Sequence, residues 1–242
     1  MLPFVLIHGS GGTGQSWDQV VTHLQHPSLA VDLPGRNDKP GDLDTLTVTD
    51  FAASVAEDME SASIERAVIV GHSLAGLTLV TLAELIPERI AHMVFVNAVV
   101  PAHGKGNFDV VGEHVREMVD TFGVGADGRS LHPDALRHYH CNDLDEKQTH
   151  TVLHGGVLEA KKPLHKPISL AGLMQHPIPC TWVLGTIDRA VPPHTQRQSI
   201  ANLAGCGCPV DVIEVEAGHS ITLSQPAKLA AILDGVDQDP DR

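Results

Sequence analysis

The sequence predicts an open α/β fold: about six mainly parallel strands, helices on both faces, and a helical cap inserted between two of the strands. Three observations predict it. Short apolar runs bounded by turn residues recur along the chain, helical patterns separate several of them, and the stretch 101–167 carries no strong strand pattern. Strands that are apolar throughout and spaced by helices are the mark of a parallel sheet covered on both sides.

The strand-like runs are "FVLIH" at 4–8, "LAVDL" at 29–33, "RAVIVG" at 66–71, "HMVFVN" at 92–97, "CTWVLG" at 180–185 and "VDVIEVE" at 210–216. After the first, Trp17, Val20, Val21 and Leu24 share one face at helical spacing. Phe51, Val55 and Met59 do the same behind a capping box running from Thr47 to Asp50. A third helix begins near Ser73 and stops before Pro87, and others fit 195–203 and the segment after Pro226. These elements define a core of residues 1–100 and 168–236. Residues 101–167 read as the cap, since a structureless loop that long is uncommon in a compact domain, and the tail 237–242 as frayed.

A chain of 242 residues buries roughly 70–75% of its unfolded surface, enough for a substantial core. The net charge of −14 argues against nucleic acid, which requires a basic face. No apolar run reaches the ~18 residues of a membrane span. "LPFVLIHG" lacks a basic leader and reads as a strand, which makes the cytoplasm the expected compartment. Cys141 and Cys180 are isolated, and Cys206 and Cys208 fall in a small-residue loop before a strand, too irregular for a disulfide scaffold. Should the chain assemble, a homodimer is the expected form.

In an open parallel sheet, reactive groups gather beyond the carboxyl ends of the strands. Ser73 sits there in "VIVGHSLAGLTLV", between an apolar strand and an apolar helix. Gly71 precedes it by two, Ala75 follows by two and Gly76 comes next, so small residues allow a sharp elbow although strict G-x-S-x-G is missed. A serine hydroxyl needs a base, and His219 in "VIEVEAGHS" follows the last strand. That imidazole needs a carboxylate to orient it, and Asp188 in "WVLGTIDRAVPP" follows the strand before. In "LIHGSGG" the Ser10 amide can join the Leu74 amide as an oxyanion hole. The same glycines lack the following Lys of a phosphate loop.

His8 and His72 read as structural residues, although Gly9 and His72 also border the expected pocket. In the cap, Phe108, Val111, Val115, Met118 and Phe122 have the spacing of an amphipathic helix whose apolar face either roofs a pocket or packs on the sheet. His138 and His140 in "HYHCND" are one residue apart, which on a helix points them in different directions, so no metal is expected there.

Together "FVLIHG", "DLPG", "GHSLAG", "VFVNAVVP", "GTIDRAVPP" and "GHS" resemble the successive motifs of the α/β-hydrolase superfamily, in particular the branch of plant methylesterases and hydroxynitrile lyases with their bacterial esterase relatives. The resemblance spans both halves of the sheet and is weakest in the cap. It implies six parallel strands without an extra antiparallel pair, nucleophile Ser73, acid Asp188, base His219, and oxyanion amides on Ser10 and Leu74. Lyases of this branch carry "H-T" where this chain has His8-Gly9, and a lysine where it has Ser220, so both departures favour hydrolysis.

The expectation is a serine hydrolase acting on a small-molecule carboxylic ester or lactone, without cofactor, and slowing as His219 protonates within roughly pH 5–8. Alternatives on the same scaffold are a lactonase, a carbon–carbon hydrolase, a biosynthetic lyase or cyclase, and a small-molecule receptor with a slow residual triad. Repeated turnover separates the enzymes from the receptor.

Overall fold

The structure is a computed structural model that describes residues 1–125 and 131–236. The expected frayed tail 237–242 and part of the Gly-rich joint "GVGADG" lie outside those residues. Six strands form one parallel sheet in the order β2-β1-β3-β4-β5-β6: β1 Phe4–Ile7, β2 Ser28–Val31, β3 Ala67–His72, β4 Ile90–Val96, β5 Cys180–Gly185 and β6 Val210–Val215. The chain leaves β1 toward one edge and returns to build the other, so strand order reverses between β1 and β3. That switch point opens a crevice at the carboxyl ends of these two strands.

Alternation along the strands builds two cores. Val5, Ile7, Ile69, Phe95 and Trp182 face one side and pack with α2 (Val48–Ser61) and α3 (Ala75–Leu85). Phe4, Leu6, Val68, Val70 and Val94 face the other, against Trp17 and the Leu229 and Leu233 side chains of α11 (Pro226–Asp234). The Phe95 and Trp182 rings stack at 5.2 Å, adding about 1 kcal/mol to their burial. The capping box of α2 is present: the Thr47 hydroxyl accepts from the Asp50 amide, and the Asp50 carboxylate accepts from the Thr47 amide.

Two expectations need correction. The face traced by Trp17, Val20, Val21 and Leu24 is not one helix but a 3-10 turn, Gly14–Trp17, followed by the short α1, Asp18–Val21; Trp17 and Val20 are buried while Val21 is exposed. β6 forms an edge, and its Val212 and Ile213 are exposed. An apolar run reports strand propensity, but which strand ends the sheet is decided by topology.

Between β4 and β5 run α4 (Asn107–Phe122), α5 (Pro133–His140), α6 (Glu146–Gly155), α7 (Lys162–His165) and α8 (Ala171–Gln175). Because β4 and β5 pair directly, Met93 opposite Cys180, these helices belong to one crossover. α9 (Pro193–Ala204) then precedes β6, and α10 (Ile221–Ser224) precedes α11. Among the described residues no helix is long and apolar enough to cross a membrane.

Candidate active site

Ser73 follows β3 directly, at φ 56°, a left-handed conformation uncommon for a residue with a side chain. Its amide donates to Val96 O at 3.0 Å, fixing the bend against β4. Small neighbours make the bend possible. A Cβ on Gly9 would lie 2.9 Å from Ser73 Cβ, one on Gly71 2.3 Å from Leu79 Cδ1, and one on Gly76 2.3 Å from Val99 O. The hydroxyl is thus held up at the switch point with α3 running away beneath it.

Ser73 Oγ lies 2.9 Å from His219 Nε2, and His219 Nδ1 lies 2.9 Å from Asp188 Oδ2. Since the carboxylate only accepts, Nδ1–H donates to it and leaves Nε2 free to accept from the serine. Asp188 Oδ1 takes the Ala190 and Val191 amides at 2.8 and 2.9 Å, and Oδ2 also takes Gln196 Nε2 at 3.3 Å. Gln196 is itself buried and locked by Trp182 Nε1–H, which donates to its Oε1 at 3.0 Å.

Burial governs the protonation of these groups. It pushes the His219 imidazole below its ordinary 6.5, and lifts the Asp188 carboxyl above 3.8, against the pull of the Val191 and Ala190 amides. Both changes favour a neutral imidazole around neutral pH, which moves its protonation to the acid side of the range an exposed histidine would give.

Ser10 and Leu74 both border one pocket, and among the described residues neither of their amides has a protein acceptor. Unspent donors beside an upright serine can receive a developing oxyanion. The pocket lining also includes the apolar Leu33, Val48 and Phe51 and the polar Thr78 and Glu159.

Of the other residues expected at a pocket, Gly9 borders this cavity, whereas His72, Phe108, Val111, Met118 and Phe122 do not. His72 turns away: its Nε2–H donates to His219 O at 2.9 Å, and its ring lies against that of His219 at 4.8 Å. The apolar face of α4 is used for packing, Val111 on Val99 and Val191 with Phe108 beside them, while Phe122 meets His138 and Tyr139. Met118 is buried.

Several supporting residues were missed at the sequence level. Asn97, at φ 46° just past β4, donates to Gly218 O at 2.9 Å and accepts from the Gly185 amide at 2.7 Å, tying the His219 loop to β5. Its place at a strand's carboxyl end was the available signal. Glu159 accepts from the Gly11 amide at 3.1 Å and pairs with the buried Arg36 guanidinium, bracing the loop that carries Ser10. Nothing local in the sequence marks either Glu159 or Gln196 as a partner. Among the described residues no group of three or more His, Cys, Asp or Glu side chains could hold a metal ion.

Residues 4–232 match the model of the alpha/beta hydrolase family. The chain is 28% identical to the pyrethroid hydrolase of Sphingobium wenxiniae, over 96% of this chain and 87% of that one. It is 25% identical to norfluorocurarine synthase 2 of a Strychnos species, over 95% and 93% of the two chains. In fold it is similar to an extracellular alpha/beta-hydrolase from a Paenibacillus species described as sharing structural and functional homology with tobacco salicylic acid binding protein 2. The TM-score is 0.85 at 21% identity, covering 99% of this chain and 100% of that one. The elbow at the switch point, the parallel six-stranded sheet and the match across nearly its whole length make this chain a member of the alpha/beta hydrolase family.

Proposed function

We propose that the protein is a serine hydrolase that cleaves a carboxylic ester or lactone through an acyl-enzyme. The observation that carries this is the continuous relay from Asp188 through His219 to Ser73 Oγ, together with the amides of Leu74, the next residue, and Ser10, which have no protein acceptor among the described residues. Esterase-type names among relatives, including the pyrethroid hydrolase, support the same bond class.

Ser73 Oγ attacks the ester carbonyl carbon while His219 Nε2 takes its proton, and the carbonyl π-electrons move onto the oxygen. The Ser10 and Leu74 amides hold that oxyanion, and Asp188 balances the imidazolium. As the tetrahedral centre collapses, His219 returns the proton to the leaving alcohol, and the acyl group stays on Ser73. Water, deprotonated by the same imidazole, then releases the acid. Burial of His219 favours the neutral form that this step requires.

The test is turnover of a short-chain p-nitrophenyl ester together with fluorophosphonate labelling, read by mass spectrometry, in wild type and Ser73→Ala. Expected are repeated turnover, an adduct on Ser73, and a loss of roughly 10³-fold or more in the variant. Undiminished turnover by Ser73→Ala, or an adduct elsewhere, overturns the reading.

A further inference from the structure

The "HYHCND" stretch, where no metal is expected, reaches through its last four residues to both loops that carry the relay. Asn142 Nδ2–H donates to Ile187 O at 2.9 Å, one residue before Asp188. Asp143 Oδ2 accepts from the Gly218 amide at 2.7 Å, one residue before His219. The His140 ring stands edge-on to the His219 ring, 4.8 Å away at 90°. The carbonyl of His140 accepts from Ser220 Oγ at 2.8 Å, one residue after His219. Three residues within four successive positions of the crossover, His140, Asn142 and Asp143, therefore give three contacts to residues 187, 218 and 220, each next to a relay residue, and one to His219 itself.

The fit on Gly218 is tight. A Cβ there would lie 2.4 Å from Asp143 Oδ1 and 2.8 Å from Asn142 Oδ1. Both oxygens are buried and, among the described residues, have no hydrogen-bond partner. A buried carboxylate oxygen without a donor is costly unless positive charge is near, and the imidazolium that forms on His219 during the reaction supplies it.

We propose that His140–Asp143 is a positioning strap, which holds Asp188 and His219 in register from the far side of the sheet edge, with Asp143 adding a second negative charge beside the imidazole. The proposal rests on the serine-hydrolase reading for its catalytic consequence, though not for its electrostatic one. The titratable and hydroxyl groups around His219 are then Ser73 and His72 from the end of β3, Asp188 from the loop after β5 and His140 from the crossover, with Asp143 bound to the adjacent Gly218 amide and near enough to act on the ring through its charge. Of these only Asp188 and Asp143 carry negative charge, and the attraction of Asp143 opposes the burial that lowers the imidazole. Arg137, the nearby cation of α5, is paired with Glu146. Asp143 touches no reacting atom and acts only through the Gly218 loop and the field at His219.

Asp143→Asn isolates the charge, because the amide oxygen can still accept from Gly218, while Asn142→Ala removes the other latch and keeps the charge. Two readouts are required: kcat and KM for the p-nitrophenyl ester across pH, and the 15N titration of the His219 ring, which needs no catalysis. For Asp143→Asn the His219 midpoint is expected to fall by about half a pH unit or more, through loss of a neighbouring negative charge. For Asn142→Ala kcat is expected to fall roughly tenfold at near-constant KM, with the midpoint unchanged, because the relay is misaligned and the field is intact.

An unchanged midpoint in Asp143→Asn overturns the charge role, and an unchanged kcat in Asn142→Ala overturns the strap. If the ester is not turned over by wild type, the functional reading fails, and the ring titration still decides the role of Asp143. Should Asp143→Asn not fold, Asp143→Glu replaces it: the restored charge keeps the midpoint, and a fallen midpoint there overturns the proposal.

Discussion

Lowering the pH should destabilise this protein through His8 by an amount that the structure sets. His8 directly follows β1 at 1% exposure; its Nδ1–H donates to Gly9 O at 2.8 Å, and its Nε2 accepts from the Leu33 amide at 3.2 Å. That arrangement admits only the neutral ring, since a proton on Nε2 would face an N–H. Burial accordingly holds the pKa at about 4, against 6.5 for the free group. Between those values the unfolded chain binds a proton that the folded chain does not, so stability is full above 6.5, declines as pH falls, and levels off below about 4. The cost is about 2 kcal/mol at pH ~5 and about 3.4 kcal/mol in the acid limit. The assay is urea unfolding of wild type and His8→Gln near pH ~7.5 and pH ~5, where the other buried histidines titrate in both proteins and cancel. Wild type should lose about 2 kcal/mol more than the variant over that interval. Equal losses would mean that His8 does not couple folding to pH.

Two substitutions test the elbow and its bracing. Gly76→Ala drives a Cβ to 2.3 Å from Val99 O. It should cost about 1–3 kcal/mol or more in urea unfolding and lower kcat by tilting the Leu74 amide. Gly112→Ala in α4, whose Cβ would only touch Phe108 at 3.4 Å, should instead stabilise by about 0.5–1 kcal/mol. Glu159→Ala leaves the Arg36 guanidinium, with no exposed side-chain surface, unpaired. It should cost about 3–5 kcal/mol and slow turnover by freeing the Gly11 amide and the loop bearing Ser10. A urea midpoint equal to wild type would show that Arg36 finds another partner.

The strands, the α2 capping box and the elbow were legible because each is local. The run "RAVIVG", the small residues around Ser73 and the helix after it lie within a few positions of one another, so the sequence carries both the conformation and its steric requirement. The pairing of Ser73, Asp188 and His219 was legible for another reason: parallel strands send their carboxyl ends to one edge, and three polar residues followed three strands. The supports were not legible. Asn97 reaches a loop more than a hundred positions away, and Glu159 reaches Gly11 and Arg36 across a similar gap. The apolar stripe on α4 is compatible in sequence with a roof or with packing, and in the structure Val111 packs on Val99 and Val191.

The sequence was enough for an open parallel sheet, a serine on a tight strand-to-helix turn, and the residue types that can activate it, since periodicity, turn chemistry and residue size act over short range. Tertiary structure alone decided that β6 is an exposed edge, that His72 braces His219 instead of lining the cavity, and that the crossover grips both relay loops through His140, Asn142 and Asp143. Those outcomes depend on which distant surfaces meet, and hydrogen bonds between groups far apart in the chain leave no periodic trace in it.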